Sequence, residues 1–145
     1  MASIIRETYI EAPAGNAWDA VRDFGAVDKR LVPGFVIESR MDGDATRVVT
    51  FFNGRVAREM LVGVDEAARR LAYSVTEGPL GATHHNSSAQ VFAADDHGSR
   101  FVWITDVLPD QLGAHVGELM DRGIAVIKQT LESAAASDDA RAGRE

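Results

Sequence analysis

Residues Asp110–Ala136 read DQLGAHVGELMDRGIAVIKQTLESAAA, and the spacing of their apolar members decides the fold. Leu112, Val116, Leu119, Met120, Gly123, Ile127 and Leu131 recur at steps of three and four, the period that lays side chains along one stripe of a helix. Gln111, Glu118, Arg122, Lys128 and Glu132 fall on the other side. At 1.5 Å per residue such a helix is about 40 Å long, enough to cross a small domain. A stripe of that length needs a partner surface of similar extent.

The preceding chain supplies one. Strand-like runs occur at Phe35–Met41, Arg47–Asn53, Arg55–Val64, Leu71–Glu77, His84–Ala94 and Arg100–Leu108. They are separated by the turn signals DGD, NG, VDEAARR, GPLG and DDHGS. Asn53-Gly54 predicts a type I′ hairpin, with positive φ at both central residues. Residues 3–11 alternate and form a first strand, stopped by Ala12-Pro13. In AGNAWDAVRDFG, Ala17, Trp18, Val21 and Phe24 keep helical spacing up to Gly25, and a second short helical turn covers Ala26–Leu31.

The order is therefore strand, two short helices, six strands, long helix. Connections this short leave no room for parallel crossovers, so the sheet is antiparallel, and the long helix must bury its stripe against it. The expected fold is α+β: one domain over 1–136, with a seven-stranded curved sheet around the C-terminal helix. A sheet curved around one helix closes its core incompletely, which predicts a cavity between them. The segment SDDARAGRE, 137–145, is expected to be a polar, disordered tail.

Charge and composition exclude several functions. The chain carries 15 basic and 22 acidic residues, net −7, and no Lys/Arg cluster dense enough to follow a phosphate backbone, so nucleic acid is not an expected partner. It has no cysteine, which removes disulfides, thiolate chemistry and Cys-ligated zinc. The N-terminal stretch has no apolar signal-peptide core, and no run approaches a membrane span. A soluble, cytoplasmic protein without membrane insertion is expected, as monomer or homodimer.

Taken together, IEAPAGNAWDAVRDFG, LVPGF, TRVVTFFNGRVAREMLVGVDEAARRLAYSV, HHNSSAQV and GSRFVWITDVLPD, followed by the long helix, resemble the helix-grip superfamily. That group includes START domains, the birch-pollen allergen, bacterial polyketide cyclase/dehydrase-like proteins and the plant abscisic acid receptors. The resemblance covers almost everything before the tail. It implies a helix-grip fold, and it implies little about activity, because the fold hosts binders, carriers, cyclases and receptors.

Strand parity, oriented by the resemblance, assigns the cavity. Phe101, Trp103, Thr105 and Val107 share one face of their strand, and the resemblance turns that face inward. The same comparison implies inward positions for Glu38, for Val49 and Phe51, and for Ala57, Glu59 and Leu61. It adds Tyr73 with Val75, Ser87 with Ala89, and Leu119, Gly123 and Ile127 from the helix. If Ser87 faces in, so does His85, and His84 faces out. Adjacent strand residues on opposite faces cannot jointly hold one metal ion, and neither His97 nor His115 completes a ligand spacing, so no metal site is expected.

Two side chains stand out chemically. Glu59, among apolar neighbours in VAREMLVG, is costly unless paired or solvated. It can form an ion pair with an arginine such as Arg47 or Arg40, or it can receive ligand hydroxyls or act as a base. His85 can be a neutral rim residue, a ligand hydrogen-bond partner or a general acid/base. Glu38 carries the same alternatives as Glu59, closer to a wet rim. It occupies the place of a plant-receptor lysine that meets a ligand carboxylate, so abscisic-acid-like binding is not carried over.

Trp103, Tyr73 and Phe51 can form an aromatic wall or plain core. Gly123 in mid-helix costs about 1 kcal/mol relative to alanine, which suggests room made for a ligand or a close sheet contact. The NG hairpin and the GPLG loop fall where the plant receptors have gating loops, although the local residues differ. No nucleophile elbow, P-loop, dinucleotide fingerprint or zinc helix appears, and no cofactor is implied. The expected function is binding of a small, largely apolar molecule such as a lipid, polyketide or aromatic metabolite. The alternative is a cyclase or dehydratase using Glu59 or His85 for proton transfer.

Overall fold

A computed structural model of the chain describes residues 1–143. Seven strands run in the order β1 (Ala2–Ile10), β2 (Val36–Met41), β3 (Thr46–Phe51), β4 (Val56–Asp65), β5 (Arg70–Glu77), β6 (His84–Ala93) and β7 (Ser99–Leu108). Between β1 and β2 lie helix α1 (Ala14–Val21), a 3-10 turn (Phe24–Ala26) and helix α2 (Val27–Arg30). After β7 a second 3-10 turn (Asp110–Leu112) opens into helix α3 (Gly113–Ala142).

The sheet has the spatial order β1-β7-β6-β5-β4-β3-β2, and every pairing is antiparallel. Each strand from β2 to β7 lies beside its sequence neighbour, as the short connections require, and only β1 pairs at a distance, with β7. The concave face curves round α3, which gives the α+β helix-grip arrangement.

The apolar stripe of α3 is buried at Val116, Met120, Ile127 and Leu131. Its C-terminal half, Ile127 and Leu131, shares a core cluster with Ile10, Val91 and Phe101 of the sheet and with Trp18 and Val21 of α1; Val116 and Met120 cluster with Ile4 and Val107. Trp18 also fastens α1 to the β4–β5 turn: its indole N–H donates to Glu66 Oε2 at 2.7 Å, and Arg22 approaches Glu66 Oε1 at 2.9 Å.

Three local details differ from the sequence reading. The β3–β4 turn has positive φ at Gly54 (82°) but not at Asn53, and the Gly54 amide donates to the Phe51 carbonyl at 2.9 Å. Phe52 and Asn53 therefore occupy the centre of an ordinary turn followed by a left-handed glycine, the longer hairpin solution rather than type I′. In β2, the register shifts between Val36 and Glu38, which changes the face of the residues beyond. Finally, α3 runs to Ala142, six residues past Ala136 and into the segment assigned to the tail; Arg144 and Glu145 of that segment lie outside the described residues.

Candidate ligand cavity

Alternation along β3 to β7 sends one set of side chains into the space under α3. Arg47 stands opposite Glu59 and Val49 opposite Ala57 across the β3–β4 pair. A second row crosses five strands: Leu61 faces Tyr73, Tyr73 faces Ser87, Ser87 faces Thr105 and Thr105 faces Ile4. A cavity of about 400 Å³ lies between this surface and α3, within the range of small-molecule sites. Its wall is mainly apolar, with Val49, Phe51, Phe101, Trp103, Leu119 and Ile127 among its members.

Polar groups collect on the inner face of the sheet. Arg47 and Glu59 are both buried (6% and 7% exposed), and Arg47 Nε donates to Glu59 Oε1 at 2.7 Å. Arg47 Nη1 donates to the Phe24 carbonyl at 3.0 Å, and the guanidinium sits 3.9 Å from the Phe24 ring centroid and 5.0 Å from that of Tyr73. The two rings, whose centroids are 6.3 Å apart and tilted by 55°, form a corner that holds the fork of the arginine. Among the described residues, Arg47 Nη2 and Glu59 Oε2 have no hydrogen-bond partner, and neither belongs to the sealed-off polar atoms, which are the hydroxyls of Ser39 and Ser99.

Beside the pair, the Ser87 and Thr105 hydroxyls are hydrogen-bonded at 2.8 Å in full burial. Burial raises the Tyr73 phenol above its ordinary range, and the Glu59 carboxylate adds to this; Arg47, Ser87 and Trp103 act in the opposite direction. Tyr73 is thus a neutral hydrogen-bonding group. Burial likewise holds the His85 imidazole below its ordinary range, reinforced by His84 and opposed by Glu59. His85 is therefore a neutral imidazole at pH 7, able to accept a proton.

Most residues read as inward from the sequence line the cavity, among them Val49, Phe51 and Glu59, then Tyr73, His85 and Ser87, and Trp103, Leu119 and Ile127. Val107 is buried in the core cluster beside it, and Glu38, Leu61 and Gly123 do not line it either. Glu38 is exposed and stands outside, because the bulge after Val36 reverses the parity on which its inward position depended. Leu61 packs against the core cluster instead of the cavity; β4 bulges directly after it, which bends the strand there. Gly123 makes the close sheet contact, not a space for ligand: a Cβ there would lie 2.9 Å from Trp103 Cζ3 and 3.8 Å from Phe35 Cε1. The histidine pair splits as parity requires, with His84 exposed and His85 half-buried and inward. No group of three potential metal ligands occurs among the described residues.

Arg47 was legible only as a possible partner of Glu59, although it shares parity with Val49 and Phe51 and so belongs to the wall. The residues at the mouth carried no signal. Phe52, Asn53 and Arg55 come from the β3–β4 turn, Pro79 and Leu80 from the β5–β6 loop, and His115, Glu118 and Arg122 from α3. Glu118 and Arg122 lie on the polar side of the helix and reach the mouth from there.

These features define a helix-grip domain with a mostly apolar, partly open pocket between sheet and α3 and a buried polar cluster on the sheet. Residues 1–136 match the family described as polyketide cyclase / dehydrase and lipid transport, and the chain belongs to that family. Solved structures agree in fold. An uncharacterized protein from Bacillus thuringiensis superposes with a TM-score of 0.82 at 17% identity, covering 90% of this chain and 98% of that one. A protein from Thermobifida fusca is 29% identical, with a TM-score of 0.74 and 91% of each chain covered. The Zhui aromatase/cyclase from Streptomyces sp. R1128 has a TM-score of 0.73 at 15% identity, covering 93% of each chain. A search of curated proteins found no match. Among the described residues no helix is long and apolar enough to cross a membrane.

Proposed function

We propose that the protein binds a small, largely apolar molecule, such as a lipid, polyketide or aromatic metabolite, in the cavity between sheet and α3. The observation that carries this reading is the pairing of an apolar wall with a few convergent polar groups at one place on the inner face. Removal of apolar ligand surface from water supplies the affinity. Arg47 Nη2 and Glu59 Oε2 offer an unused donor and acceptor side by side, which suits a ligand end bearing both a carbonyl and a hydroxyl. Native mass spectrometry of freshly purified protein, with a fluorescent lipid-probe titration, tests the reading. A mass shift from a bound small molecule or saturable probe uptake is expected; an apo-only spectrum without uptake contradicts it.

A second reading, a cyclase or dehydratase, is favoured by one specific feature. A neutral His85 and a protonated Tyr73 both line the cavity from neighbouring strands, a pair suited to moving a proton on a folded, reactive chain. Glu59 is engaged by Arg47 and is the weaker candidate for proton acceptor. The family description of cyclases and dehydrases and the fold likeness to an aromatase/cyclase agree with this chemistry. Confinement of the folded chain contributes to rate through lost freedom already given up on binding. In that case His85→Gln abolishes turnover and leaves binding in place.

A further inference from the structure

The mouth of the cavity has a charge arrangement that the apolar-ligand reading does not use. Arg55 and Arg122 both line the cavity and are both exposed, which puts them at its opening. Neither has a carboxylate within 4.0 Å among the described residues, which they share with Arg40, Arg69, Arg70 and Arg141, whereas Arg6, Arg22, Arg30, Arg47, Arg58 and Arg100 are paired. Of the unpaired arginines, only Arg55 and Arg122 line the cavity. Glu118 precedes Arg122 by four positions on α3, the favoured helical ion-pair order, yet the Arg122 guanidinium lies over Phe52, 4.1 Å from the ring centroid. Phe52 belongs to the same tight turn as Arg55, so the turn that carries Arg55 is the one on which the Arg122 guanidinium rests.

That turn is ordered in advance. The Phe51 amide donates to the Arg55 carbonyl at 2.8 Å, the Gly54 amide to the Phe51 carbonyl at 2.9 Å, and the Arg55 amide to Asn53 Oδ1 at 3.1 Å. The other titratable groups at the opening are Glu118 and His115. Glu38 is exposed and does not line it.

We propose that Arg55 and Arg122 hold an anionic group, a carboxylate or a phosphate, at the mouth, while the apolar body of the same molecule fills the cavity. The ligand class is then an anionic amphiphile. The assignment rests on the cavity being a ligand site. A guanidinium stacked on an aromatic ring keeps its edge N–H groups free for such an oxyanion. The protein's net charge of −7 opposes anions at long range, so a preference for one has to arise locally.

Calorimetric titration of the full chain with decanol, decanoate and decyl phosphate separates the possibilities, using Arg55→Gln/Arg122→Gln and, as a remote control with the same charge change, Arg69→Gln/Arg70→Gln. Two exposed ion pairs at about threefold each give a preference of about tenfold for decanoate and decyl phosphate over decanol at low salt. The preference is expected to shrink with added salt, to vanish in Arg55→Gln/Arg122→Gln and to persist in the control. Equal affinity for the three ligands overturns the assignment and leaves the cavity reading standing. A preference that the mouth variant retains, or that the control loses equally, also overturns it. Failure of all three to bind removes the cavity reading and the assignment together.

Discussion

Arg47 and Glu59 face each other directly across β3 and β4, joined at 2.7 Å and both buried beside the cavity. A buried pair of this kind adds little over well-packed apolar residues, but half of it is strongly destabilising. Glu59→Gln leaves an uncompensated guanidinium against Phe24 and Tyr73, so it is expected to lower unfolding stability by about 3 kcal/mol. Replacing both partners, as Arg47→Met with Glu59→Leu, is expected to recover most of that loss. Urea denaturation of the two variants checks the contrast. Equal stability of wild type and Glu59→Gln would place the carboxylate in solvent.

Gly123 lies under the Trp103 indole because no side chain fits between them. Alanine gains about 1 kcal/mol in helix propensity, but its Cβ would meet two ring carbons at 2.9 and 3.2 Å, and an indole cannot yield as a flexible chain end does. Gly123→Ala is expected to be net destabilising by about 1 kcal/mol. It should also push Trp103 toward the cavity, seen as a changed tryptophan emission spectrum and weaker ligand uptake. Adding Trp103→Phe should relieve the clash and restore the helix gain.

His85 makes stability depend on pH. Its folded-state proton affinity is lowered, chiefly by burial, so the folded protein binds fewer protons than the unfolded chain. The contribution is fully present above the unfolded value of about 6.5 and is lost as pH falls through the lower folded value. Wild-type stability should therefore decline as pH falls below about 6.5, and His85→Gln should remove this part of the slope. Thermal unfolding across that range measures it; parallel slopes for the two proteins would place His85 in solvent.

The Ser87–Thr105 hydrogen bond lies in full burial, so Ser87→Ala leaves the Thr105 hydroxyl without that partner. A cost of about 1–2 kcal/mol is expected. Ser87→Ala with Thr105→Val, which removes both hydroxyls, should cost less than the two single changes combined, as a double-mutant cycle by urea denaturation can show.

The parts of this molecule legible in the sequence were those governed by a period. The α3 stripe from Val116 to Leu131 and the alternation of Phe101, Trp103, Thr105 and Val107 identified the helix, the sheet and which strand residues share a face. The resemblance supplied the orientation that alternation alone left open. Glu38 was misplaced because parity holds only while register holds, and one inserted residue in β2 reverses it. The mouth was invisible for a different reason. Arg122 sits on the polar side of its helix by every periodic criterion, and only the tertiary position of Phe52 draws its guanidinium to the opening. Arg47 shows the same limit from inside: its parity was inward, but a positive charge in an apolar wall becomes intelligible only with Glu59, Phe24 and Tyr73 around it.

On the proposed function, an apolar molecule enters between the sheet and α3. Titration of isotope-labelled protein with 1-naphthol, followed by amide and indole N–H chemical shifts, tests it most directly. Saturable shifts are predicted at Tyr73, His85, Ser87, the Trp103 indole and Leu119, with the outward Ile5 and Met60 unaffected. Shifts confined to the outer face of the sheet, or no saturable shift at the five inner positions, would contradict it.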